Sequence, residues 1–242
     1  MPYQTILRRR RFLAASRAAP AVPTSGLIAR YLASMAAGPV APQPDKGFLP
    51  TWAPVYGTEE AFEFGNATPP ILADSYDANR PVVRFAETRF MTSGVAVPGG
   101  GDARTIILIG GHSIGPADSA YLGYGDLSTG LRGFGVGGWG GWLTAFGGGN
   151  VRAVAPLESS ADFFWIAGTY NPDEGPTLDA TTPGGSASEI VTLDTDVGAL
   201  TIGAAAGVAL DVYEVLVYDR VLTESQVTQF LAYIASEYSD LL

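Results

Sequence analysis

A strand pattern lies near the end of the chain, between residues 211 and 218. Tyr213, Val215 and Val217 alternate with a second set of positions that includes Glu214. Because side chains of a strand point alternately to its two faces, the first set predicts a wholly apolar face against a core. Glu214 is then the one carboxylate on the opposite face.

A helix is predicted directly after this strand. Thr223 is the expected N-cap residue, and Gln226 follows three positions later. Together they form a capping box, in which each side chain bonds a free backbone N–H of the first turn. The predicted buried stripe has the spacing of one helix face and comprises Val227, Phe230, Leu231, Ile234 and Tyr238.

Other strand patterns lie upstream, separated by turns rich in the 31 glycines and 17 prolines of the chain. Residues 104–110 are nearly all aliphatic or β-branched, which is typical of a central strand buried on both faces. His112 is expected in a loop just beyond that strand. Further strands are predicted at residues 26–33, 160–170, 189–193 and 199–203.

The segment from residue 130 to residue 149 is about half glycine and allows two interpretations. In the first, strands and hairpins carry glycines that neighbouring aromatic side chains cover. In the second, the aromatic side chains form an exposed platform for a flat ligand such as a sugar ring. The large apolar residues concerned are Leu131, Phe134, Val136, Trp139, Trp142, Leu143 and Phe146.

Composition narrows the functional classes. The 242 residues suit one β-sandwich, and 47% of them are apolar, so a large core is expected. The absence of cysteine excludes disulfides, thiol catalysis and Cys-based zinc sites. A net charge of −10 argues against a nucleic-acid partner, and no apolar run is long enough for a membrane span.

The basic charge is concentrated at the N-terminus, so we divide the chain into an arm, residues 1–25, and a sandwich domain, residues 26–242. A twin-arginine export signal is one interpretation of the arm. Arg17, Pro20 and Pro23 interrupt its apolar part, which favours an uncleaved arm that anchors the protein to a partner. The predicted anchoring residues are Arg8, Arg9, Arg10, Arg11 and Arg17.

Four segments resemble concanavalin A-like (laminin-G-like) jelly-roll domains. They are Tyr218-Asp-Arg-Val-Leu-Thr223 before the helix, Arg80-Pro-Val-Val-Arg-Phe85, Phe163-Phe-Trp-Ile-Ala-Gly-Thr-Tyr170, and Leu200-Thr-Ile-Gly203. The resemblance implies an all-β jelly-roll sandwich with a short C-terminal helix, here preceded by an extended arm. It leaves function open, because this fold hosts lectins, hydrolases and structural modules.

Catalytic residues are scarce. His112 is the only histidine, and no G-x-S-x-G motif accompanies it. Jelly-roll glycoside hydrolases carry an E-x-D-x-x-E strand, whereas here Glu158 and Asp162 lack a third carboxylate and Glu214 is alone. We therefore expect a protein that is not an enzyme.

Aromatic residues are the candidate glycan contacts, because aromatic faces stack on sugar rings while carboxylates accept hydroxyl hydrogens. The alternative is that each aromatic residue covers or fills a core. The candidate residues are Tyr121, Tyr124, Trp139, Trp142, Asp118 and Asp126.

No cofactor is required by the sequence, although calcium is a candidate because it takes oxygen ligands from loops. The alternative is that these side chains are solvated turn residues. The candidate ligands are Asn171, Asp173 and Glu174, with Asp194 and Asp196 as a second set.

The layout of a basic arm before one lectin-like sandwich resembles virion proteins of tailed bacteriophages and phage-like particles. It implies a non-catalytic decoration or adhesion protein of the virion, held to capsid, tail or spike proteins through the arm and able to bind host glycan. The alternatives are an exported, secreted or periplasmic carbohydrate-binding domain and a glycoside hydrolase.

Overall fold

The structure is a computed structural model that describes residues 21–36, 49, 51–63, 70–74, 80–86, 90–114, 119–126, 132–147, 151–158, 163–173, 175–203 and 209–242. These residues form two antiparallel sheets and a C-terminal helix. None of the helices in these ranges has the length and apolar character of a membrane span.

Sheet A contains the long central strands. In spatial order its strands are β14 (Gly185–Ile190), β13 (Thr177–Thr182), β12 (Phe164–Asn171), β7 (Arg104–Ile114), β16 (Ala209–Tyr218), β5 (Pro81–Ala86) and β4 (Ile71–Asp74), and β1 (Leu27–Leu32) also pairs with β16.

Sheet B contains the glycine-rich hairpin. In spatial order its strands are β11 (Arg152–Glu158), β10 (Trp142–Phe146), β9 (Gly133–Trp139), β8 (Ser119–Gly125), β15 (Leu200–Gly203), β6 (Phe90–Ser93), β3 (Ala61–Glu63) and β2 (Thr51–Trp52).

One hydrophobic core joins the two sheets, because buried side chains of both belong to the same cluster. This arrangement confirms the predicted all-β sandwich, in which the inner faces of two sheets pack together. Representative members are Leu108, Ile166 and Val215 from sheet A, and Leu122, Phe134 and Leu143 from sheet B.

Strand β7 is buried on both faces, as predicted. Ile106 and Leu108 belong to the shared core, while Ile107 and Ile109 are buried on the opposite side of sheet A. The strand is longer than predicted, because its ladder continues to Ile114. A fully covered strand of this kind explains why the sequence shows a continuous apolar run rather than an alternation.

A β-bulge in β16 corrects the predicted faces of this strand. Val212, Val215 and Val217 belong to the core cluster, whereas Tyr213 does not. The pairing of β16 with β7 shifts between Val212 and Glu214. The prediction that Tyr213 faces the core together with Val215 was therefore wrong, because a bulge adds one residue and reverses the alternation beyond it.

The described residues of 25–221 form one compact unit, and residues 21–24 belong with residues 222–242 to a second unit. Within the described part of the second unit, Gln229 Nε2 donates a hydrogen bond of 2.8 Å to Ala21 O. The boundary predicted after residue 25 stays a prediction.

The C-terminal helix spans Glu224–Glu237 and begins at the predicted capping box. Thr223 N donates to Gln226 Oε1 at 3.0 Å, and Gln226 N donates to Thr223 Oγ1 at 3.3 Å. These two bonds satisfy backbone donors that a helix start otherwise leaves free.

The buried stripe of the helix is rotated from the predicted one. Val227 and Leu231 are exposed at 38% and 44%, so their assignment to the buried face was wrong. The buried side chains are Phe230, Tyr233, Ile234 and Tyr238, which also follow the spacing of one face.

Candidate functional site

Two tryptophans face each other across the tightest turn of sheet B. Trp139 ends β9, Trp142 begins β10, and the two residues are directly paired. Gly140 and Gly141 form the whole loop, with φ angles of +57° and +88°. Positive φ at both central residues is the geometry of a two-residue I′ hairpin turn, which glycine adopts at little steric cost.

Both indole rings lie on the outer face of sheet B. Val136 of β9 and Leu143 of β10 point into the core, so the alternation places Trp139 and Trp142 on the opposite side. Their side chains are 41% and 44% exposed. The interpretation of the glycine-rich segment as an exposed aromatic platform therefore fits the hairpin tip.

The rest of this hairpin fits the first interpretation, in which neighbouring aromatic side chains cover the glycines of the strands. Phe134, Val136 and Leu143 are fully buried, and Phe146 is nearly so. On the outer face, a Cβ on Gly137 would collide with the carbonyl oxygen of Ser119 in β8. Glycine is thus required where β8 passes close to β9, and only the tip of the hairpin presents aromatic rings to solvent.

Arg152 completes the surface. Ala153 and Ala155 of β11 belong to the core, so Arg152 lies on the same outer face as the two tryptophans. Its guanidinium carbon lies 3.5 Å from the centroid of the Trp139 ring. This is a cation–π contact at van der Waals distance, which fixes the position of a positive charge beside the exposed indole.

We define the tryptophan–arginine surface as Trp139, Trp142 and Arg152. It offers aromatic faces for apolar ring surfaces and a cation with several N–H donors. Arg152 was not predicted as a site residue. The alternation of Arg152, Ala153, Val154 and Ala155 is the signal that places it outside the core, but the sequence does not show that it meets Trp139.

Tyr121 and Tyr124 do not belong to this surface, and their assignment as ligand contacts was wrong. Each is only 1% exposed, and both belong to the core cluster together with Leu122. The pairing of β8 with β9 shifts between Ala120 and Leu122, so a bulge turns two successive side chains inward. Burial also raises the pKa of the Tyr124 phenol.

The predicted acidic contacts are not brought to the tryptophans. Asp118 lies outside the described residues. Asp126 follows β8, and its N–H donates to Arg132 O at 3.2 Å. This is the end of β9 away from Trp139, at a separation of about 20 Å for a strand that rises about 3.3 Å per residue.

The calcium candidates occupy turns. Asp173 N donates to Asn171 Oδ1 at 3.1 Å, which is a local turn that an Asn side chain stabilises. Glu174 lies outside the described residues. Asp196 pairs with Arg132 through a bond of 3.0 Å to its Nε. In the described ranges, no three His, Cys, Asp or Glu side chains are grouped so that they could hold a metal.

The carboxylates of β16 are paired with arginines. Glu214 is completely buried and accepts a bond of 2.6 Å from Arg30 Nε. Asp211 accepts from Arg84 Nε and Nη2, both at 2.7 Å, in a bidentate pair. Such pairing satisfies the carboxylate oxygens inside the protein and keeps them away from solvent.

The structure describes the remaining catalytic candidates and the anchoring residues only in part. His112 lies within β7 rather than in a loop after it, which corrects its predicted position, and its side chain is not among those described. Glu158 is paired with Trp142 through the backbone ladder, but nothing is described of its side chain. Asp162 and the anchoring residues Arg8, Arg9, Arg10, Arg11 and Arg17 lie outside the described residues.

Arg104 is a buried cation that the sequence did not indicate. It is fully buried, and its Nη1 donates to Pro98 O at 3.0 Å. Its Nη2 donates to Gly100 O at 3.0 Å and to Thr195 Oγ1 at 2.8 Å. Because burial disfavours the charged form, it lowers the pKa of Arg104.

Two aromatic rings flank Arg104. Its guanidinium carbon lies 5.2 Å from the ring centroid of Phe134 and 4.9 Å from that of Tyr170. These contacts join β7 to β9 and β12, and the hydrogen bonds hold the loops around residues 98–100 and 195. Arg104 is therefore a structural tie within the sandwich.

No protein-family model matches the chain, and no curated protein matches it. Solved structures do match. A Trypanosoma rangeli sialidase in complex with 2,3-difluorosialic acid is similar at 15% identity over 88% of this chain and 34% of the sialidase chain, with a TM-score of 0.55.

The binding domain of botulinum neurotoxin DC in complex with SialylT is similar at 10% identity over 86% of this chain and 51% of that chain, with a TM-score of 0.57. A structure of botulinum neurotoxin type C, whose cell entry depends upon interaction with two ganglioside molecules, is similar at 8% identity over 86% of this chain, with a TM-score of 0.53. The fold is a lectin-like β-sandwich. This chain spans about a third of the sialidase chain and half of each toxin chain.

Proposed function

We propose that this protein binds glycan without cleaving it, and that the tryptophan–arginine surface is the binding site. The observation that carries the proposal is the pair of exposed indole rings held opposite each other on a two-residue turn. Aromatic side chains present large apolar faces to sugar rings at low entropic cost, and here the backbone is fixed by the hairpin.

The structural neighbours support a glycan as the ligand class. The matched structures include a sialidase in complex with sialic acid, a toxin binding domain in complex with SialylT, and a toxin whose cell entry depends upon interaction with two ganglioside molecules. At this low identity these ligands belong to the neighbours alone, and the proposal for this chain rests on Trp139 and Trp142.

Replacement of Trp139 by alanine tests the proposed site. On a glycan array, Trp139→Ala is expected to lower the retention of bound glycans about tenfold, the equivalent of about 1.4 kcal/mol. The free energy of unfolding is expected to change by less than about 1 kcal/mol, because a large part of the side chain is in solvent.

Tyr56→Ala is the matched control, because Tyr56 is 44% exposed, close to the 41% of Trp139, but lies in the segment that bridges to β1. It should leave glycan retention unchanged. Undiminished retention in Trp139→Ala would refute the site, and a large loss of stability would assign Trp139 to the core.

The absence of catalysis is part of the proposal. It is supported by Glu214 and Asp211, because both carboxylates of β16 are buried and paired with arginines. Incubation with a glycan library that includes sialosides should release no sugar. Hydrolysis that disappears in Glu158→Gln or Asp162→Asn would instead make the protein a glycoside hydrolase.

We further propose that the basic arm anchors the protein to a larger assembly, as in a phage or phage-like particle. Its support is chemical: arginines bind carboxylates in a bidentate manner, and the five arginines of the arm stand apart from an otherwise acidic chain. Low-resolution imaging of the native assembly should show the sandwich displayed on a capsid, tail or spike.

A variant with Arg8, Arg9, Arg10 and Arg11 changed to glutamine should lose attachment to the particle but keep glycan binding. Recovery of the protein as a free, exported monomer without its arm would favour the carbohydrate-binding domain of a secreted or periplasmic protein.

A further inference from the structure

We infer that the glycan bound at the tryptophan–arginine surface carries a carboxylate group, and that Arg152 recognises this group. The inference deepens the proposed function and rests on it. It names the ligand class as acidic sugars, such as uronic or sialic acid residues, in place of neutral glycans.

The pairing of the described arginines sets Arg152 apart. Several of them already bind a carboxylate of this chain, whereas Arg152 contacts the Trp139 ring. Among the residues that the structure describes, no carboxylate forms an ion pair with Arg152. The arginine–carboxylate pairs are Arg30–Glu214, Arg84–Asp211, Arg132–Asp196 and Arg220–Asp219.

The stacked position leaves the donors of Arg152 available. The guanidinium carbon lies 3.5 Å from the ring centroid, a distance at which an edge-on guanidinium would collide with the indole, so its flat face makes the contact with Trp139. Its N–H bonds lie in the plane of the group and point past the ring. A carboxylate that approaches in this plane can accept two parallel hydrogen bonds, which a neutral hydroxymethyl or ester group cannot do equally well.

The acidic charge of the chain bears on the role of the Arg152 cation. Of the 14 basic residues only nine lie beyond residue 17, against all 24 acidic residues. An acidic sugar therefore meets a domain that repels it in general, so its binding depends on a local cation. Arg152 places that cation next to the rings on which a sugar would stack.

Matched pairs of oligosaccharides test the inference. Sialyllactose and a short oligogalacturonide are each compared with their carboxyl methyl esters by isothermal titration calorimetry on the full-length protein. The acid of at least one pair is expected to bind about tenfold more tightly than its ester, a difference of about 1.4 kcal/mol.

In Arg152→Gln this preference should disappear while the binding of the ester remains. Arg152→Lys should keep part of the preference, because an ammonium retains the charge but not the fork of donors. Arg132→Gln is the matched control, since Arg132 is exposed and paired with Asp196 at the far end of β9, and it should leave the preference unchanged.

Equal binding of acid and ester to the unmodified protein, both weakened in Trp139→Ala, would overturn the carboxylate inference and leave the proposed function standing. An equal loss of acid and ester binding in Arg152→Gln would also overturn it, because Arg152 would then only support Trp139. If neither form of either sugar binds and a glycan array is also blank, the proposed function fails together with the inference.

Discussion

The replacement of Arg104 by lysine is the sharpest stability test that the structure offers. Both residues carry one positive charge, so the substitution changes the shape of the cation rather than its sign. Arg104 is fully buried, makes three hydrogen bonds through its two terminal nitrogens, and lies near two aromatic rings. A lysine presents one nitrogen and cannot span the same set of acceptors.

The expected loss follows from these contacts. At least one hydrogen bond from a charged donor is lost, at about 1.5–3 kcal/mol. The contacts with Phe134 and Tyr170 weaken as well, at about 0.5–1 kcal/mol each. Arg104→Lys should therefore lower the free energy of unfolding by about 3 kcal/mol, which corresponds to a fall in Tm of about 6–12 °C for a chain of this size.

Urea unfolding followed by tryptophan fluorescence measures the free energy, and a thermal scan measures Tm. Arg220→Lys is the matched control, because Arg220 pairs with Asp219 at 2.8 Å with both side chains about half exposed. It should cost less than about 0.5 kcal/mol, as surface ion pairs do. Equal losses in the two variants would show that the buried contacts of Arg104 do not stabilise the fold.

Three further predictions concern stability. Arg30→Met should cost about 3–5 kcal/mol in urea unfolding because it leaves the fully buried Glu214 without this arginine. Glu214→Gln should cost less, since Arg30 is partly exposed and can be hydrated, so equal costs would contradict this reasoning. Gly140→Val should lower the free energy of unfolding by about 1–2 kcal/mol, because a β-branched residue is strained at φ +57°, and Gly140→Asn should cost less. Burial raises the pKa of Tyr124 above its ordinary value of 10.0, so the contribution of the neutral phenol to the free energy of unfolding is complete below pH 10 and declines at higher pH. A plot of the free energy of unfolding from pH 9 to 11 should therefore be flatter for Tyr124→Phe than for the unmodified protein. An unchanged slope would refute this.

Hydrophobic alternation and local motifs predicted the fold because each of them depends only on residues that are close together in the sequence. The capping box at Thr223 and the doubly buried β7 each depend on a few consecutive side chains. The lectin-like sandwich followed from the resemblance of four short segments. The hairpin of β13 and β14 was missed in part, because its small polar side chains show little hydrophobic contrast, and a strand was instead predicted at residues 189–193.

Two of the errors have one physical cause. A bulge in β16 and another in β8 each add one residue to a strand, so Tyr213 leaves the core and Tyr121 enters it. A bulge needs no special residue, and the sequence on either side still alternates. The faces of a strand can therefore be predicted only up to its first bulge.

The candidate site was predicted in part for a similar reason. Trp139 and Trp142 stand out as aromatic residues around two glycines, which is a signal for a short hairpin. The ladders pair Arg152 with Phe146, and Phe146 with Gly135, so the contact of Arg152 with Trp139 runs diagonally across three strands through two long side chains, and no local pattern in the sequence contains it. The helix face was ambiguous because Tyr233 and Leu231 both fit the spacing of Phe230 and Ile234, and only packing decides between them.

The position of the tryptophans at the tip of a two-residue hairpin has a consequence for evolution. The residues that anchor the hairpin, Val136 and Leu143, point into the core, while Trp139 and Trp142 contribute little buried surface to it. Selection can therefore exchange the two exposed side chains, and with them the preferred ligand, while the fold stays the same. Related sandwiches should differ most at these two positions, as lineages that adapt to different surfaces diverge in preference before they diverge in architecture.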